Sequence, residues 1–224
     1  NTWKIPGVKT NPAQDIPDFP DTHRQVFLNP NDIERLLEAG RPRPGQQNPH
    51  TLQIVMLLTL TGVRKANALQ AEWAEFDLVR GLWNLPAHKT KQKKPQTIQL
   101  AQEVLNLLQQ LPSRETGELY LFPSHKTGKP YQSIYYSWDS MRKRAGLGHV
   151  RMHDLRHTFA SLLINGGASL FLVQTALGHS SPQTTLRYAH LSETTQRQAI
   201  QAAASLISCQ QFLSVPNPAQ SPAA

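Results

Sequence analysis

The segment TLQIVMLLTLTG, residues 51–62, sets the tightest limit on what this chain can become. Leu52 to Leu60 is its most apolar stretch, and it falls well short of the roughly 20 residues that cross a bilayer as a helix. A helix that apolar has to be wrapped by other elements. The segment therefore reads as the buried helix of a globular domain, running from about His50 to Leu60 and broken by Thr61-Gly62.

The flanking sequence supplies the wrapping. Residues 1–26 hold Pro6, Pro12, Pro17 and Pro20 without helical or strand period and read as an extended arm. The chain does not begin with Met: either Asn1 follows processing or the chain is a piece of a longer one, and in the second case a further domain is expected before this arm. The folded part starts near Phe27. Asn29-Pro30 gives an N-cap and a first-turn proline, Ile33, Leu36 and Leu37 an apolar stripe, and Gly40 a stop. A loop over 41–48 precedes the apolar helix, and a short helix follows over about Lys65–Glu72. The period then shortens: Leu82–Leu85 and Gln96–Leu100 read as strands joined by a lysine-rich hairpin, PAHKTKQKKP. Ala101–Leu111 and Tyr131–Ala145 read as helices, with Tyr120-Leu121-Phe122 as a third short strand. Four helices follow, over His153–Asn165, Ser169–Leu177, Pro182 to about His190, and Glu193 to about Ile207. Ser169 and Ser181 are their N-caps, and Gly166 and Gly178 their terminators. Residues 210–224 lose periodicity and read as a mobile tail. The expected fold is mainly α with a small antiparallel β-sheet, the domain itself covering 27–209.

Charge narrows the partner. Lys and Arg number 23 against 15 Asp and Glu, a net +8, which favours a polyanion, nucleic acid first. The single Cys209 excludes an intrachain disulfide framework and a multi-cysteine zinc site. The first twenty residues lack the apolar run of a signal peptide, so a reducing cytoplasm is the simplest setting and no membrane role is expected.

Several polar residues stand outside the core pattern. Arg64 follows the buried helix in TGVR, where it can cap the helix dipole or aim its planar donors at a phosphate. His153 and Arg156 in HDLR lie at i and i+3 on one helical face, opposite Leu155, Phe159, Leu162 and Leu163. His153 and His157 also have the i, i+4 spacing of two zinc ligands. Asp154 stands where a metalloprotease needs Glu, however, and no third ligand is near. Lys89, Lys91, Lys93 and Lys94 crowd the hairpin, from which one lysine can serve as proton donor. In LGHSSPQTTLRYAH, Tyr188 follows His179 by nine positions, and a tyrosine flanked by cations can act as a nucleophile.

Taken in order, TGVR at 61–64, KTK in the hairpin, HDLRHTFAS at 153–161, LGHSS at 177–181 and TTLRYAH at 184–190 resemble the tyrosine recombinases, the phage integrase family. The resemblance covers about Phe27 to Ile207, and by the same likeness a domain preceding the arm would bind DNA. It implies that Arg64 and Arg156 hold a scissile DNA phosphate, with His153 and His179 as the two site histidines and Tyr188 as the nucleophile. Lys91, which follows Thr90 and stands nine positions before Leu100, matches the hairpin lysine, with Lys89 as fallback. One departure is Asn67, where the family often has Glu supporting the first arginine.

The implied reaction is attack by Tyr188 on a phosphodiester, giving a 3′-phosphotyrosyl link and a 5′-hydroxyl, with His153 managing the phenolic proton and Lys91 protonating the leaving oxygen. It needs neither cofactor, metal nor ATP. The implied partners are double-stranded DNA, contacted also by Lys89, Lys93, Lys94, Arg142, Lys143 and Arg144, and further copies of the chain in a tetramer on DNA. The helix over Glu193–Ile207, with Ala199, Ile200, Ala203, Leu206 and Ile207 as its stripe, would dock on a neighbouring protomer. The competing readings are a type IB topoisomerase-like activity, a DNA-binding module without catalysis, and a zinc hydrolase.

Overall fold

The computed structural model describes residues 26–43, 48–179, 181–192 and 200. The arm before residue 26, the tail over 210–224 and, Ile200 apart, the helix expected over Glu193–Ile207 lie outside the described residues.

The apolar helix α2, Thr51–Thr61, sits in the middle, with Ile54, Val55, Leu57 and Leu58 buried. It ends at Gly62 in the left-handed region, φ 61°, with the side chain of Phe159 lying where a Cβ would go. Around it pack α1 (Pro30–Ala39), α4 (Gln102–Gln109) and α7 (Asp154–Asn165). The start of α1 is a capping box: Asn29 accepts from the Asp32 N–H while Asp32 accepts from the Asn29 N–H. Helix α6 (Tyr135–Arg144) lies against α1. It starts four residues later than the sequence suggests: Tyr131 packs on the core from the preceding loop, Gln132 and Ser133 are exposed, and the helical run of buried side chains begins at its N-cap, Ile134.

The sheet is antiparallel with order β1 (Phe76–Asp77), β2 (Leu82–Leu85), β3 (Gln96–Gln99). Trp83 pairs with Phe76 on one side and Ile98 on the other. The third strand is thus Phe76–Asp77 and not Tyr120–Phe122. Tyr120 makes only an isolated bridge to Glu72, while Leu121 and Phe122 are fully buried in the core. Two short helices complete this region, α3 (Lys65–Leu69), which stops three residues before the expected Glu72, and α5 (Pro112–Glu115).

A second, smaller core lies beyond α7. There α8 (Leu170–Leu177) and α9 (Pro182–Leu186) enclose Ala160, Ile164, Val173, Leu177 and the ring of Tyr188, with Phe27 and Leu191 alongside. Helix α7 separates the two cores and is buried around most of its girth. Arg156 is therefore 6% exposed rather than on a solvated face, and it is Leu162 that faces out.

Candidate active site

Helix α8 ends on three carbonyls that its own N–H groups cannot reach. Each takes a side-chain donor from elsewhere in the chain. Ala176 O accepts from Gln96 Nε2 at 3.2 Å, Leu177 O from Arg156 Nη2 at 2.6 Å, and Gly178 O from Gln92 Nε2 at 2.7 Å. Arg156 spends a second nitrogen on Gly62 O, at 2.6 Å. One buried guanidinium thus ties together the end of α2, the end of α8 and the body of α7. Burial, then the neighbouring charge of Arg64, lowers its pKa to about 10, which leaves it cationic at neutral pH.

Tyr188 follows α9 and closes the small core with 1% of its surface exposed. Its hydroxyl lies 2.5 Å from Nδ1 of His157, with the two rings 5.9 Å apart and Phe27 at 6.4 Å on another side. Burial raises the phenol's pKa, and the charges of Arg187 and Arg156 oppose the rise. His157 is the opposite case. Burial first, then His153 and Arg187, bring it down to about 4, so its ring is neutral at pH 7. Nδ1 can then accept the phenolic O–H when the ring proton sits on Nε2.

The partner of the tyrosine oxygen is therefore His157 and not His153. His153 sits at the N-terminus of α7, exposed at the rim, with its ring 4.9 Å from that of His157. Burial of its inner side and the charge of Arg156 lower its pKa. As for the zinc spacing of these two histidines, no group of three or more His, Cys, Asp or Glu able to hold a metal occurs among the described residues. His179 bonds Thr185 Oγ1 at 3.0 Å, and burial together with Arg156, Arg64 and Arg187 brings it to about 4.

Arg64, half-buried, stands between Gly62 and α3, where it acts electrostatically on Arg156, His153 and His179. Asn67 is buried, and its backbone N–H bonds Arg64 O at 2.9 Å. Among the described residues no hydrogen bond joins its side chain to the Arg64 guanidinium. Two residues of the cluster carry no role in the reaction implied by the sequence. Arg187 reaches the same cluster, with Nε buried and without a hydrogen bond, and His157 holds the tyrosine. Each is the chain neighbour of an assigned residue, Tyr188 and Arg156, and that adjacency is the signal the sequence offered.

The lysines separate into two kinds. Lys89 is no surface cation: its ammonium bonds Glu75, Glu72 Oε1 at 2.8 Å and Gln70 O at 2.8 Å, with only 9% of the side chain exposed. Burial alone would lower its pKa, but the bonds to Glu72 and Glu75 outweigh it and the net shift is upward. It anchors the base of the hairpin and is ill placed to donate a proton or touch DNA. Lys91, Lys93 and Lys94 are exposed at the tip, which Thr90 Oγ1 knits through Ala87 O and Lys94 O. On α6, Arg142 is spent on Asp139, Gly148 O and Val150 O, and Arg144 on Ser140 and Ala39 O, so both brace the fold. Lys143, 65% exposed, pairs with Asp139.

Comparison with known proteins gives a consistent picture. The model of the phage integrase family matches residues 26–195. The tyrosine recombinase XerD of Neisseria meningitidis serogroup B is 30% identical over 200 residues, covering 83% of this chain and 66% of that protein. Among solved structures, the catalytic domain of bacteriophage HP1 integrase superposes with TM-score 0.60 at 26% identity, covering 80% of this chain and 95% of that domain. The XerH site-specific recombinase bound to its difH substrate superposes with TM-score 0.61 at 25% identity, covering 73% and 49%. The chain spans about half to two thirds of the length of the first curated relatives it matches.

Proposed function

The chain belongs to the phage integrase family, and we propose that it carries the catalytic domain, residues 27–209, of a site-specific DNA recombinase that integrates or excises a mobile element. The observation that carries this reading is the setting of Tyr188. Its hydroxyl is delivered to the helix that bears Arg156, in a cluster where the cations Arg64 and Arg187 outnumber the one buried carboxylate, Asp154.

An ordinary phenol with a pKa near 10 is a weak nucleophile at neutral pH. The resting site makes it weaker still, because burial favours the neutral form. A phosphodiester entering the cluster reverses that balance. Its negative charge offsets the crowding of cations and raises the proton affinity of His157. Tyr188 Oη then bonds phosphorus while its proton passes to His157, with His153 as a second acceptor beside it. The bond from phosphorus to the 5′-oxygen breaks, and Lys91 protonates that oxygen. Arg64, Arg156 and His179 meet the charge growing on the non-bridging oxygens, where one preorganised donor is worth about 3 kcal/mol of barrier. The phosphotyrosyl link keeps the energy of the broken bond, so a second 5′-hydroxyl can reseal it without ATP.

The partner is double-stranded DNA, met in the bacterial cytoplasm and bound by a tetramer. Lys93, Lys94 and Lys143 are the exposed backbone contacts, and Glu193–Ile207 is the segment that docks on a neighbouring protomer. The test is to select duplexes cleaved by this chain and mix two of unequal length. Recombinant joints support the reading. Relaxation of supercoiled DNA without joints would make the chain a topoisomerase-like enzyme instead.

A further inference from the structure

The hairpin of Lys91 and the turn of His179 come from segments more than 80 residues apart, yet two glutamines join them. Gln92, next to Lys91, bonds the carbonyl of Gly178, next to His179. Gln96, at the start of β3, bonds Ala176 O. The carbonyl between them, Leu177 O, holds Arg156. Three successive orphan carbonyls at the end of α8 therefore seat the hairpin and the buried arginine side by side. The hairpin itself is pinned at its base by Lys89 on Glu72 and Glu75, while Lys91 stays exposed. Gly178 fits the same arrangement. Its φ is +63°, and a Cβ there would lie 2.3 Å from Gln96 Oε1. The amide of Gln96 occupies the space that only glycine leaves open.

We propose that Gln92 and Gln96 are positioning residues that latch the hairpin onto the end of α8, so that the proton donor Lys91 and the phosphate-facing His179 are placed by one shared set of backbone carbonyls. Neither glutamine touches the reacting atoms. Gln92 fixes the tip, Gln96 fixes the strand that follows, and together they remove the freedom of a lysine-rich loop to swing away from the leaving oxygen. A displacement of about 1 Å in such a group can cost roughly 100-fold in rate.

This inference rests on the roles assigned above to Tyr188 and Lys91, and the experiment separates the two levels. Parent, Gln92→Ala, Gln96→Ala, Lys91→Ala and His179→Ala chains are compared on a nicked duplex that the parent binds. Each is also tested on the same duplex with sulfur in place of the 5′-bridging oxygen. A thiolate leaves without needing a proton, since thiols have pKa values near 8.5. The latch predicts that both glutamine variants lose about 10- to 100-fold on the oxygen duplex and recover most of it on the sulfur duplex, like Lys91→Ala and unlike His179→Ala. Melting curves, which Gln92→Ala at the hairpin tip should barely shift, exclude simple unfolding. Glutamine variants that cleave like the parent, or that lose activity without sulfur rescue, would overturn the latch. No adduct from the parent on either duplex would overturn the function on which it rests.

Discussion

Gly178 offers the sharpest quantitative check on how the site is built. Replacing it with alanine places an L residue at φ +63°, a conformation that costs about 1–2 kcal/mol without glycine. The new Cβ also meets Gln96 Oε1, Cδ and Nε2 at 2.3, 2.6 and 2.7 Å, so the amide must move and give up its bond to Ala176 O. That bond is worth about 0.5–1.5 kcal/mol. The sum is about 1.5–3.5 kcal/mol, or roughly 3–14 °C in melting temperature for a domain of this size. Calorimetry or circular dichroism reads the shift directly. The Gln96→Ala background dissects it. Once Gln96 is gone the clash vanishes and only the backbone penalty remains, so the double variant should melt close to Gly178→Ala alone. The two changes should then couple by about 1 kcal/mol. Additive losses, or a Gly178→Ala chain that melts with the parent, would refute the placement of Gln96 against the turn.

Other expectations follow from the same contacts. Lys89→Met strips Glu72 and Glu75 of their shared cation and should cost about 3–5 kcal/mol in denaturant unfolding, whereas Lys91→Met should stay within about 0.5 kcal/mol and lose cleavage. Arg64→Ala should lose cleavage at least 100-fold while melting like the parent. Arg156→Ala should lose cleavage too and also about 1–3 kcal/mol of stability, since Gly62 O and Leu177 O forfeit their donor while a buried cation is removed. His157 and His179 stand near 4 when folded against an ordinary 6.5, so the unfolded chain takes up protons first as pH falls. Their contribution is full above about 6.5 and is lost toward about 4. The melting temperature should decline across that window, and less steeply when both are changed to Gln.

Much of this fold is written locally. The Asn29-Pro30 start, the Gly62 and Gly178 stops, the Ser169 cap and the two longer strands depend on residues a few positions apart, and all are where the sequence places them. Arg64, Arg156 and His179 stand after α2, on α7 and after α8 as expected, whereas Tyr188 lies two residues past the end of α9 and not inside a helix reaching His190. What the sequence conceals is set by distant partners. Lys89 looks like its exposed neighbours until Glu72 and Glu75 fold against it. Arg142 and Arg144 look like a basic patch until the carbonyls of Val150 and of Ala39, at the end of α1, claim them. The strand Phe76–Asp77 is too short to show a period and exists by pairing with β2. His157 reads as one half of a ligand pair by spacing, and only the path of the chain after α9, 31 residues later, turns it into the partner of Tyr188.

Everything proposed for the reaction turns on Tyr188 as the nucleophile. The direct measurement is to incubate the chain with nicked duplexes that trap cleavage, in EDTA, digest the denatured adduct and sequence the DNA-bearing peptide by mass spectrometry. A tyrosine nucleophile at this position gives one modified residue, Tyr188, joined to a 3′-phosphate, and no adduct from Tyr188→Phe. A DNA link at any other residue, or an adduct that survives Tyr188→Phe, would contradict it.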